Sequence, residues 1–405
     1  MIQPAEALRL LTDAASQGQT VEVSLDACYR LVLAESVQAD RDFPATDRSA
    51  MDGFAVRAED VQADSAVLSI VGEIPAGRSA DGVTVGPGQA VRIFTGAVVP
   101  AGADSVVMVE DTESDTEAGT VRVGRRVRVG QHVRRQASDL RAGETILEPG
   151  SPIHAAEMAA LTSVGCTRVR VHRPPTVGVL STGDEVVEPS STPEPYQIRN
   201  SNGGTLLAQL REIGLWGVYL GNVGDSMPEL VDRLEQGLRG DVLLISGGVS
   251  VGEFDLVGKA LEQAGVELLF HKVAVKPGKP ILAGRTDRCL VIGLPGNPVS
   301  ALTGFTVFVA PVLRKMMGYR RWQHREVRVT LDQPLPCRPG RATYHLARIT
   351  WNDGRYEGHR VNTTGSADVL SMARANAFLV SPEQGGEFGP GDELPALLWS
   401  DADYR

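Results

Sequence analysis

The chain has 405 residues, 42% hydrophobic and 22% charged, which describes a globular protein with roughly two to four domains. Its formal net charge of −10 argues against bulk binding to nucleic acid or to an acidic membrane surface, so any anion site must be locally basic. The four cysteines (Cys28, Cys166, Cys289, Cys337) show no Cys-x-x-Cys and no metal spacing, so neither structural zinc nor a disulfide framework is expected.

Residues 4–16 read as an amphipathic helix with Ala5, Leu8, Leu11 and Ala15 near one face. Glu6 and Asp13 interrupt any long apolar core there, so no signal peptide is expected and the protein is placed in the cytoplasm. The longest apolar stretch, 305–313, is too short to span a bilayer. A second helix is expected over 24–33, capped by Ser24. From Pro44 to about Asp139 short β-rich runs (67–71, 90–94, 105–109, 120–129) alternate with Gly, Pro and Asp turns, which reads as an all-β insertion. Residues 155–165 are helical, and a strand over 168–172 leads to Arg173-Pro-Pro175, a natural boundary.

Beyond Thr176 strands and helices alternate. The strands are 176–180, 216–220, 241–245, 268–275 and 289–292; the helices are 203–213, 228–238, 256–264 and 298–317. Ser226 and Glu229 have capping-box spacing, and Asn297 precedes Pro298 as a cap precedes a first helical residue. Such alternation predicts a doubly wound, mostly parallel α/β sheet covered on both faces. After Gly318 the chain is β-rich again (326–331, 342–350, 360–362, 377–380, 394–398). The residues divide into an N-terminal helix at 1–23, a β-rich insertion at 44–139, an α/β domain at 174–322 and a C-terminal β domain at 323–405.

Four glycine-rich loops follow the apolar runs of the α/β part. They are Ser181-Thr-Gly-Asp-Glu185, Ser246-Gly-Gly-Val-Ser-Val-Gly-Glu-Phe-Asp255, Lys276-Pro-Gly-Lys-Pro280 and Gly293-Leu-Pro-Gly-Asn-Pro-Val-Ser300. Loops at the carboxyl ends of parallel strands are where such sheets bind ligands. Glycine lets backbone N–H groups approach an anion, and a helix N-terminus adds positive dipole. Lys272, Lys276 and Lys279 fall within eight residues, whereas isolated surface lysines are ordinarily just solvated.

The carboxylates Asp184, Glu185, Asp225 and Asp255 sit in or beside these loops. They suit either Mg²⁺ held against phosphate oxygens or hydrogen bonds to a ribose and a heterocycle edge. For Asp255, helix capping is an equal alternative. The adjacent Gly247 and Gly248 imply a close backbone approach. No G-x-x-x-x-G-K-[ST] and no G-x-G-x-x-G follows a strand, which disfavours a P-loop ATPase and a dinucleotide redox enzyme. The β insertion has its own dense patch around Asp47, Ser49-Ala-Met-Asp-Gly53, Thr95-Gly96, Glu110-Asp111, Arg134-Arg135 and Asp139.

Asp42-Phe-Pro44 with Ser49-Ala-Met-Asp-Gly-Phe-Ala-Val56, Phe94-Thr-Gly-Ala97, Gly102-Ala-Asp-Ser-Val-Val-Met108, the Ser181–Glu185 loop, Ser246–Gly252, Lys276–Pro280 and Gly293–Ser300 make seven collinear motifs. Together they resemble the molybdopterin molybdotransferase family, the bacterial MoeA type also found as the E domain of gephyrin. The resemblance implies a homodimer with an elongated linking α/β segment made from 24–43 and 140–173, a molybdopterin-binding α/β domain and a C-terminal β-barrel-like domain. It implies an active cleft shared between the α/β domain of one subunit and the β insertion of the other. The substrates would be adenylylated molybdopterin and molybdate, with Mg²⁺ as metal, AMP as leaving group and molybdenum left on the dithiolene.

By the same resemblance Asp52, Thr95 and Asp139 are the functional residues of the insertion, and Glu185, Asp225, Asp255, Lys272 and Lys276 those of the sheet side. Ser181, Gly183, Ser246, Gly247, Gly248, Ser250, Gly252, Pro277, Gly278, Gly296, Asn297 and Pro298 would contact the pterin nucleotide. Asp225 and Asp255 would hold Mg²⁺. Lys279, Pro280, Ser300, Arg341 and Ser366 would hold molybdate. Partners would be a molybdopterin adenylyltransferase and recipient molybdoenzymes, with no nucleic acid and no membrane. Arg48 replaces a usual Asn, Phe54 a usual Tyr and Ala137 a common Gly. A tungstate-preferring paralogue, an adenylyltransferase and a non-enzymatic scaffold are the other readings.

Overall fold

The computed structural model describes residues 1–62, 65–249 and 256–399. Two compact units emerge. One comprises Met1–Glu35, Pro149–His154 and Arg168–Arg405; the other comprises Ser36–Glu148 and Ala155–Thr167.

At the centre of the first unit lies a sheet whose six described strands run in the order Gly217–Val223, Val177–Thr182, Val242–Ser246, Leu290–Leu294, Leu282–Arg285 and Glu267–His271. The first four are mutually parallel, while Leu282–Arg285 is antiparallel to both its neighbours. Val177–Thr182, Val242–Ser246 and Leu290–Leu294 are buried at every residue, as expected of strands covered on both faces. The helices Ser201–Glu212, Met227–Gly237 and Leu256–Gln263 accompany it. So does one continuous helix, Pro298–Met316, long and apolar enough to cross a membrane yet 89% buried inside the fold.

A second sheet of this unit is closed. Ala342–Asn352, Arg355–Arg360, Glu326–Leu331, Glu393–Leu398 and Ala377–Ser381 pair in sequence, and the last strand returns to the first, making a five-stranded barrel. Closure removes the exposed strand edges that would otherwise invite association.

Several expectations are corrected. No helix forms over 24–33: Thr20–Ser24 is a strand paired with Arg168–His172, followed by a short 3₁₀ turn at Leu25–Ala27. Thr20-Val-Glu-Val alternates with β-branched residues, and Arg30 at φ 65° stops any helix. The run 268–275 is not one strand. It ends at His271, Lys272 turns at φ 77°, and Val275–Lys276 joins the barrel beside Ala342 and Thr343. Neither Ser226 nor Asn297 makes a side-chain cap bond. Among the described helices, side-chain caps form at Asn200, which accepts from the Gly203 N–H, and at Asp368, which accepts from the Ser371 N–H.

In the second unit six described strands form one sheet, ordered Ser105–Met108, Gly53–Val56, Gln89–Ile93, Ala66–Ile74, Thr120–Val123 and Thr112–Asp115. Phe54 and Val107 pack in one of its cores, Ala55 and Ile93 in the other. The expected insertion 44–139 lies within this unit.

Candidate active site

Ser181 pairs with Ser246, and Ser246 with Leu294, so three parallel strands end level and their loops meet. A cavity of about 460 Å³ opens there. It is lined by Ser181, Gly183, Glu185, Asp225, Ser246, Gly247 and Gly248, with Pro280, Gly296, Asn297 and Pro298 opposite. Ser250, Gly252 and Asp255 lie outside the described residues.

Gly247 and Gly248 have φ values of 95° and 65°. A Cβ at Gly247 would stand 2.4 Å from the Thr182 carbonyl oxygen, and one at Gly248 would stand 2.4 Å from Val257 Cγ2. The close approach that the sequence implied is therefore to the protein's own Thr182 and Val257.

Two asparagines that sequence reasoning missed organise this cavity. Asn200 Oδ1 accepts from Ser181 Oγ at 3.2 Å, and its Nδ2 donates to Tyr219 Oη at 2.7 Å. Asn202 Nδ2 donates to Ser246 Oγ and to the Gly296 carbonyl. Arg199-Asn-Ser-Asn202 at a helix start was the available signal. Thr182 Oγ1 and Asn202 Oδ1 are buried without a protein partner, and both residues line the cavity. Orphaned polar atoms in a cavity wall suit a polar ligand.

The Asp225 N–H donates to Asp184 Oδ1 at 2.8 Å. Burial, then the charges of Asp184 and Glu185, raise the Asp225 carboxyl above its ordinary pKa. Like-charged hard oxygens in mutual repulsion suit a divalent cation. Among the described residues no three acidic, histidine or cysteine groups converge to cage an ion.

A second cavity of about 510 Å³ shares Pro280, Pro295 and Asn297 with the first. Lys276, Lys279, Arg341 and Arg360 line it, together with Pro277, Gly278, Ser300 and Ser366. The structure thus brings Arg341 and Ser366 from the barrel side to the lysine loop. Lys276 is delivered by its pairing with Thr343, and Arg341 Nη1 donates to the Val275 carbonyl at 3.2 Å. Ser366 is held by Asn297 Nδ2 at 2.8 Å, and its carbonyl accepts from the Val299 N–H. Freed from capping, the Asn297 amide links the two cavities. Arg360 and His345 also reach this wall and had no local sequence signal. Burial, then Arg360 and Lys276, pull His345 down to about 4, so its ring is neutral at pH 7. Lys272 lines neither cavity; its backbone bonds to Ile281 and Ile2 while turning the chain.

In the second unit, Asp52 Oδ1 accepts from the Thr95 N–H at 2.7 Å and from Thr95 Oγ1 at 2.8 Å. These bonds, backbone first, hold the Asp52 carboxyl below its usual range. Gly53 is obligatory, since a Cβ there would lie 1.7 Å from the Val107 carbonyl oxygen. Arg48 and Arg134 are paired across Arg48–Ser49 and Val133–Arg134. Arg134 forms an ion pair with Asp139, and Arg135 pairs with Asp47 at 2.6 Å. The three departures have local explanations. Arg48 Nη1 donates to the Gly96 carbonyl at 2.7 Å, Phe54 is buried in the sheet core, and Ala137 adopts φ 57°, the conformation glycine prefers.

Comparison with known proteins gives one consistent result. Residues 2–165 match the MoeA N-terminal region (domain I and II), 178–315 the "probable molybdopterin binding domain", and 328–399 the MoeA C-terminal region (domain IV). A molybdopterin molybdenumtransferase of Nostoc sp. is 37% identical over 91% of this chain and 86% of its own length. That of Bacillus subtilis is 35% identical over 97% and 93%. The crystal structure of the molybdopterin biosynthesis MoeA protein of Pyrococcus horikoshii OT3 matches with TM-score 0.83 at 28% identity, covering 98% of this chain and all of that one.

Proposed function

The chain belongs to the molybdopterin molybdenumtransferase (MoeA) family, transferases of molybdenum cofactor biosynthesis, and on that premise we propose that it inserts molybdate-derived molybdenum into adenylylated molybdopterin with release of AMP. The observation that carries this reading is the pair of adjoining cavities, one polar and one cationic, joined at Asn297. The strand-end cavity takes the pterin nucleotide. Thr182 Oγ1 and Asn202 Oδ1 offer it unpartnered polar atoms, and Gly247 and Gly248 bring backbone to the same wall.

Molybdate enters the cavity of Lys276, Lys279, Arg341 and Arg360, whose charges balance the oxyanion and the adjacent phosphate. Ser300 and Ser366 donate to its oxygens, and the neutral His345 adds no charge that would trap it. Asp225, with Asp184 and Glu185 beside it, would hold Mg²⁺ together with the substrate phosphates. The bound ion would polarise the phosphoanhydride. Asp52, Thr95 and Asp139 complete the cleft from the insertion of a second subunit, so the working enzyme is a homodimer.

The test is incubation with adenylylated molybdopterin, molybdate and Mg²⁺, following AMP and protein-bound molybdenum. Equimolar, molybdate-dependent AMP release supports the reading. Pyrophosphate formation from ATP and molybdopterin instead would identify an adenylyltransferase.

A further inference from the structure

A third cavity, of about 490 Å³, lies within the first unit and shares no lining residue with the two above. One wall is the helix Pro298–Met316 where its winding changes. Phe305–Val309 is a π turn, in which the Ala310 N–H bonds to the Phe305 carbonyl. The Thr306 carbonyl then loses both helical donors, because Ala310 is engaged and Pro311 has no N–H. His324 Nε2 supplies the missing bond. Burial, then the charge of Arg314, pulls His324 down to about 4, so a neutral ring donates. The widened turn presents Phe305 and Thr306 to the cavity.

Two polar groups of this lining lack partners. Gln209 is 7% exposed, its Oε1 accepts no hydrogen bond, and its Nε2 reaches Thr306 Oγ1 only at 3.4 Å. Arg314 is half-buried, and among the described residues no carboxylate pairs with its guanidinium. Burial lowers its pKa, opposed only by the nearby Tyr319 hydroxyl. The other guanidinium of the lining, Arg30, is engaged by the Arg211 and Glu212 carbonyls. Glu212 itself sits at the exposed edge. Unpaired buried cations and carbonyls are destabilising, and they persist where a ligand completes them. Tyr319 and Trp399 add flat aromatic surface, and Leu302 an aliphatic one, of the kind that lines small-molecule sites.

We propose that this cavity binds a small planar molecule carrying one acid group, seated on Arg314, and one N–H or O–H donor, seated on Gln209 Oε1. The acid is a carboxylate or a phosphate monoester, and the probes separate these sources. Full-length protein would be titrated calorimetrically with 4-aminobenzoate, 4-aminophenyl phosphate, benzoate and 4-methylaniline, with parallel thermal unfolding. At least one acidic amino probe should bind and raise Tm, while 4-methylaniline should not bind. Gln209→Leu should weaken the amino probe without weakening benzoate. Arg314→Met should weaken acid binding at least about tenfold, and should raise the Tm of the ligand-free protein because an unpaired charge is gone. Absence of binding by both acidic amino probes at millimolar concentration, acid binding indifferent to Arg314→Met, or a lower ligand-free Tm in that variant would each overturn the proposal.

Discussion

Asn202 Nδ2 donates to the Gly296 carbonyl oxygen at 2.7 Å, tying the first turn of Ser201–Glu212 to the loop that opens Pro298–Met316. The same nitrogen donates to Ser246 Oγ at 2.8 Å, so one amide joins this helix to two strand ends. Asn202→Ala would leave the Gly296 carbonyl and the Ser246 hydroxyl short of a donor in a wall that is 9% exposed at this residue. A loss of about 1–3 kcal/mol is expected in denaturant unfolding, with slower AMP release and little change in half-saturating molybdate. A rise in half-saturating molybdate without any rate loss would contradict a pterin-side role.

Lys276 and Arg341 should separate charge from architecture. Lys276 is exposed, so Lys276→Ala should leave Tm nearly unchanged while raising half-saturating molybdate about tenfold or more. Arg341 also donates to the Val275 carbonyl, so Arg341→Ala should lower Tm as well. Steady-state AMP release against molybdate concentration, with a melting curve for each variant, distinguishes the two.

The shared-cleft proposal makes a mixing prediction. At molybdate well below half-saturation, Asp52→Ala should be nearly inactive alone and Lys276→Ala should keep about a tenth of the native rate or less. Random reassociation of equal amounts should give half heterodimers with one intact cleft each, and so about a quarter of the native activity. No recovery in verified heterodimers would place all the functional groups within one subunit.

His324 and His345 are both held near 4, below the ordinary histidine value, by burial and by neighbouring cations. In the unfolded chain they bind protons from about pH 6.5 downward, whereas the folded protein resists until about pH 4. Stability is therefore full above pH 7 and is lost as pH falls through that window, by on the order of 3 kcal/mol per histidine. Urea midpoints between pH 7.5 and 4.5 should show the decline, and His345→Gln should flatten it.

Gly53→Ala should be among the most damaging single substitutions in the second unit. Its Cβ would meet backbone, the Val107 oxygen at 1.7 Å, and the paired strands would have to separate. A loss above about 3 kcal/mol, seen as insoluble expression or a sharply lowered Tm, is expected. Thr95→Ala removes one of two bonds to an exposed carboxylate and should leave Tm nearly intact while lowering activity.

By itself the sequence determined the strand-end loops, the α/β alternation and the β insertion, because β-branched runs punctuated by glycine encode strand ends locally. It also placed Lys276, Lys279, Ser300 and Asn297, which stand inside those motifs. Tertiary structure alone decided the remainder, since it depends on partners distant in sequence. Thr20–Ser24 is a strand because Arg168–His172 lies beside it, and Val275–Lys276 left the central sheet because the barrel offered Ala342 and Thr343. Arg360 and His345 reach the cationic cavity on barrel strands whose pairing no local pattern announces. Glycine at 247 and 248 was legible as a demand for close approach. What approaches, Thr182 and Val257, was decided by packing, because side-chain volume is felt only where two segments meet.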